Sequence, residues 1–243
     1  MTDWLFGITE ANRWITVSYV IGSFLFTAIF IAILAYYKKK RELVIGFIAG
    51  LLMLATELTL LATGYRVVDS PIPTILVLMA IGFNPMFYVA SICYSSIVWL
   101  YKKKKEVYYK LIVSYFVIGY VVFSLLAMFV VPALGEITIR RLMFNGIYVF
   151  EALIAIAFFA INYWLLNLKR LTKIAFAIGV LVNLIIEGVM ILAGIRWYTG
   201  SAWIKFPIHV LFELNAGIMF AIFLVSKLKS LKPTKKTKKI KYF

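Results

Sequence analysis

A chain of 243 residues that is 64% hydrophobic and 15% charged, with a mean hydropathy of +0.97, is too apolar for a water-soluble domain, where about 45–50% apolar and about 25% charged residues are usual. One cysteine and one histidine exclude an internal disulfide, a thiolate cluster and the multi-histidine sites of haem, zinc or di-iron proteins, so neither metal nor cofactor is expected. The net charge of +16 does not mark a nucleic-acid binder, because the basic residues stand in short clusters at the ends of apolar runs, where they set membrane topology and meet anionic lipid.

Residues 1–14, MTDWLFGITEANRW, lack the basic start and short apolar core of a cleavable signal and are expected as an extracytoplasmic segment. Seven apolar runs follow, each near the ~20 residues a bilayer requires: 15–36, 43–65, 72–100, 107–132, 143–167, 171–194 and 206–226. The third is long, and its Gly82 and Asn84-Pro85 predict a kink or break. Clusters at 38–41, 102–105 and 168–173, Lys110 at the start of run four, and the tail at 227–243 hold all basic residues except Arg13, Arg66, Arg140, Arg141, Arg196 and Lys205. The positive-inside rule then predicts a multi-pass protein of the cell membrane with its N-terminus outside and its C-terminus in the cytoplasm. The lysine-rich tail is expected to be solvated or to lie on anionic headgroups.

A shift of 130 residues brings Glu57 onto Glu187, Gly64 onto Gly194 and Arg66 onto Arg196, aligning TELTLLATGYR with IEGVMILAGIR without a gap. The same shift overlays run one on run five. The sequence therefore predicts an all-α fold, a polytopic membrane protein of seven transmembrane helices with a 3+1+3 parallel internal repeat. The halves are about 15–100 and 143–226, within a membrane domain spanning 15–226, and the linker helix is 107–132. The topology resembles that of SWEET and PQ-loop transporters, although the Pro-Gln signature is missing from runs one and five. Run seven, IHVLFELNAGIMFAIF, lacks the lysine that a retinal protein would need.

Four glutamates interrupt these runs: Glu57, Glu151, Glu187 and Glu213. At 1.5 Å per helical residue all four fall roughly 10–13 Å in from the outer side, and a carboxylate at that depth is by default a functional-site candidate. No lysine or arginine of the runs lies at that depth, so no ion pair inside the membrane is expected. Glu57 and Gly64 share a helical face, as do Glu187 and Gly194, and His209 stands one turn from Glu213. Asn84, Asn183 and Asn215 add polar groups near the layer. Arg66 and Arg196 form an outer rim and are expected to snorkel to the headgroups. Pairing with Asp69 or Glu136, or guarding an entrance, are their alternatives.

Grouped carboxylates at such depth cannot all stay ionised, and the set suits protons or a cation. The leading expectation is transport of a small solute, cation or proton through a site lined by Glu57, Glu151, Glu187, His209, Glu213, Asn84 and Asn215. One alternative is a membrane enzyme acting on an isoprenoid or lipid with a glutamate as general acid; another is a non-catalytic subunit or anchor of a larger membrane complex. The expected partners are the lipid bilayer, its anionic headgroups and, in that last reading, other membrane subunits.

Overall fold

The computed structural model describes residues 8–102, 134–198 and 202–227, with single positions between 110 and 126. It is mostly helical. Helix α1 is Val17–Tyr36, α2 Lys40–Ala62, α3 Thr74–Leu78, α4 Asn84–Lys102, α5 Asn145–Ala160, α6 Lys169–Leu192 and α7 Ala202–Lys227. A π-helical turn, Met79–Phe83, joins α3 to α4, and a second, Ile161–Leu165, extends α5. Four strands complete the described fold: β1 Ile8–Thr16, β2 Arg66–Asp69, β3 Glu136–Phe144 and β4 Arg196–Tyr198.

Four of the predicted runs, 15–36, 43–65, 72–100 and 171–194, coincide with helices long and apolar enough to cross a membrane. Runs 143–167 and 206–226 fall on α5 and α7, whose described apolar stretches, Ala152–Leu165 and Val210–Phe220, are shorter. Run 107–132 lies largely outside the described residues. Its described members Tyr115 and Phe123 stack on Phe26 of α1, with centroids 4.7 and 5.8 Å apart. Residues 228–243 of the tail also lie outside the described residues.

The helices carry large apolar side chains outward as well as inward. Leu25 is 61% exposed and Leu192 87%, and such surface is costly in water. These apolar helices are compatible with an integral membrane protein.

The expectation of a purely helical fold is corrected by one four-stranded antiparallel sheet in the order β2-β3-β1-β4. Short, charged stretches between runs gave no helical period. Here backbone pairing satisfies their N–H and C=O groups, which could not be left bare beside an apolar bundle. All four strands lie at the same end of the helices. β1 runs directly into α1, where the Tyr19 amide donates to the Thr16 Oγ1 at 3.1 Å, the usual N-cap bond. β3 likewise continues directly into α5. α2 and α6 reach β2 and β4 through tight turns at Gly64 and Gly194, with φ of +76° and +69°. These left-handed positions favour glycine and end the helices.

The registers recur. β1 pairs with β3 from Ile8 opposite Phe144 to Thr16 opposite Glu136, so the ladder is symmetric about the Asn12–Arg140 pair. On the flanks Arg66 lies opposite Arg141, and Arg196 lies opposite Arg13.

At the other end of the helices, Lys38 and Asn167 take positive φ of 54° and 52° in the turns that join α1 to α2 and α5 to α6. Lys38, Lys40, Arg41, Lys169, Arg170 and Lys173 are exposed there.

The predicted irregularity of the third run is the π turn, where the Asn84 N–H donates to the Met79 carbonyl. Helix α2 packs closely on this segment because Gly46 and Gly50, one turn apart, leave room for Phe87, Ser91 and Phe83. Small residues in that spacing let helix backbones approach.

Candidate functional site

Glu57 and Glu187 each stand five residues before the end of their helix, only about 7–8 Å from it at helical rise. A depth of roughly 13 Å would need the helix to continue straight to the arginine. Instead the chain turns at Gly64 or Gly194, and the arginine opens a strand on the sheet face that covers the bundle. Arg66 Nε reaches Glu57 Oε2 at 2.7 Å, and an Arg196 guanidinium nitrogen meets Glu187 Oε2 in the same way. All four residues are buried; Glu57 is fully so. The arginines therefore do not snorkel outward, and ion pairs form where none was expected. Asp69 is exposed on the far face of β2, opposite Thr138. Gly82 accommodates the Glu57 side chain, since a Cβ there would stand 2.9 Å from its Cγ.

The sheet adds two buried arginines that the sequence did not single out as part of the layer. Arg13 and Arg141 point to the same face as Arg196 and Arg66, each directly opposite one of them in the register. Like charges directly across a strand pair repel, so the carboxylate held to Arg66 and the one held to Arg196 offset that repulsion. Each flank thus combines one glutamate with two arginines: Glu57, Arg66 and Arg141 on one side, Glu187, Arg196 and Arg13 on the other. Tyr88 of α4 lies within electrostatic range of Arg13 and Tyr19. Arg13 and Arg141 are 128 residues apart, the same step that separates β1 from β3 and two short of the 130-residue shift, so the sequence alignment did not bring them together.

Paired carboxylates are not free acceptors. Taking either partner away leaves a buried, uncompensated charge, which is far costlier than breaking an exposed pair. Glu57 and Glu187 thus each lie against an arginine beneath the sheet.

The asparagines serve helix contacts. Asn84 Nδ2 donates to Ser23 Oγ at 3.1 Å, and Ser23 Oγ donates to the Ala80 carbonyl at 3.2 Å, an oxygen in the π turn. Asn215 Nδ2 donates to the Leu211 carbonyl of its own helix at 2.7 Å, with its side chain packed against Gly179. Asn183, and Asn162, which the sequence did not single out, donate to the Val210 and Met219 carbonyls of α7 at 2.9 and 2.8 Å. Glu151 belongs to α5, and His209 and Glu213 to α7; their side chains lie outside the described residues. Among the described residues no three of His, Cys, Asp and Glu come together as a metal site.

Comparison with protein-family models, curated proteins and solved structures gives no match to this chain.

Proposed function

We propose that the chain is a seven-span membrane protein made of two copies of a three-helix unit, and that it carries a small solute, cation or proton through the charged layer between the copies. The single observation that carries this reading is the pair of equivalent ion pairs, Glu57–Arg66 and Glu187–Arg196, buried at corresponding places. Duplication is supported by the equivalent registers of β2 and β4, by the two glycine turns and by the positive-φ residues Lys38 and Asn167. Transport is supported by charged groups held at an interface between repeats, where transporters place their binding sites. At rest each pair neutralises itself. When a pair parts, its carboxylate and guanidinium each need a new counter-charge, and a passing ion or polar solute supplies it.

The end carrying the sheet is assigned to the outside on the charge asymmetry of the loops. The lysine end then faces the cytoplasm and its anionic headgroups.

Purified protein in liposomes should conduct at least one of protons, rubidium or chloride, read by an internal pH dye and by isotope uptake. Flux should fall at least tenfold in the double variant E57Q/E187Q. Full flux in that variant, or none of the three ions moving in wild type, would remove the transport reading.

A further inference from the structure

The order β2-β3-β1-β4 has a mechanical meaning. β1 and β2 belong to the N-terminal half of the chain, β3 and β4 to the C-terminal half. The strands therefore alternate, and every one of the three strand interfaces joins one half to the other. Parting the halves at this end would break the whole sheet at once. β1 and β3 also continue into α1 and α5 without a turn, so these two helices and the sheet form one frame.

α2 and α6 are attached differently. Each meets the sheet through a glycine turn with open space around it: no atom lies within 4 Å of a Cβ built on Gly64 or Gly194. Each is also held to the adjoining strand by its glutamate, Glu57 to Arg66 and Glu187 to Arg196.

We infer that the sheet with α1 and α5 is a fixed clasp, and that the two ion pairs are latches whose release lets the ends of α2 and α6 swing away beneath the sheet's flanks. The inference goes beyond the transport reading. It rests on strand order, turns and pairs, and it locates any opening at this end on the flanks rather than through the sheet. The glutamates and arginines act here as positioning residues.

The test uses the full chain in lipid nanodiscs with Cys93 replaced by alanine. Spin labels replace Leu58 on the exposed side of α2 and Arg140 on the outer face of β3, both exposed in the structure, and their separation is read by double electron–electron resonance without added solute. R66Q should lengthen that separation by several ångströms. A disulfide placed across β2 and β3 by D69C/T138C, positions directly opposite in the register, should leave the lengthening intact. The charge swap E57R/R66E should restore the wild-type separation and serves as the decisive variant should R66Q fail to fold.

An unchanged separation in folded R66Q, a lengthened one in the swap, or loss of the change on cross-linking the sheet would each overturn the inference. Because no flux is measured, absence of transport would count against the transport reading and leave this one standing.

Discussion

At the residue scale the buried pairs behave as units. Removing one partner of a buried ion pair costs about 3–5 kcal/mol, whereas replacing both by apolar groups of similar volume is often neutral. R66M alone should therefore destabilise the protein by several kcal/mol, while E57L/R66M should recover most of that loss. Thermal unfolding in detergent measures the difference, and additive losses in the double variant would contradict a direct pair. Glu57 and Glu187 could be recognised in the sequence because a charge inside an apolar run stands out. Their partners could not be assigned by counting, since nine residues along a straight helix carry Arg66 away from Glu57. The turn at Gly64 carries it back. The glycine two residues before each arginine was the available clue, and it acts by ending the helix.

At the element scale four of the apolar runs coincide with helices long enough to cross a membrane, because an apolar stretch of about 20 residues is a strong local signal. Strands of three to nine residues gave no comparable signal. RVVD and RWY are too short for alternation to register, and β-pairing depends on partners far along the chain. The register itself became meaningful only once β1 was seen beside β3. Two glycine substitutions separate conformational from packing roles. A Cβ at Gly46 would lie 2.6 Å from the Phe87 carbonyl oxygen and 2.2 Å from Ser91 Oγ, so G46A should force α2 and α4 apart at a cost of about 1–3 kcal/mol. G64A meets no neighbour and should cost about 1–2 kcal/mol through its left-handed backbone alone. Unfolding measurements with G46A and G64A, combined with the Leu58–Arg140 distance, distinguish the two, since only G64A acts at the turn that joins α2 to the sheet. Equal stability of wild type and G46A would show that α2 and α4 are not in close contact there.

At the scale of the whole molecule, interleaved strands make the two halves mutually dependent. A chain interrupted between Lys103 and Lys104 should yield fragments that co-purify when expressed together and fail to accumulate when expressed alone. Recovery of either fragment as a stable, folded monomer would contradict this. The same interleaving imposes an order on biogenesis. β1 is finished at Thr16, but its neighbour β3 begins 120 residues later at Glu136. At synthesis rates of about 5–20 residues per second the first strand waits roughly 6–24 s for a partner. During that interval the N-terminal half is already made while its strand edges stand bare, open to pairing with another nascent chain. The assembly machinery therefore has to shield β1 and β2 until the second half arrives, and slowed translation of the C-terminal half should raise the fraction of chains that aggregate.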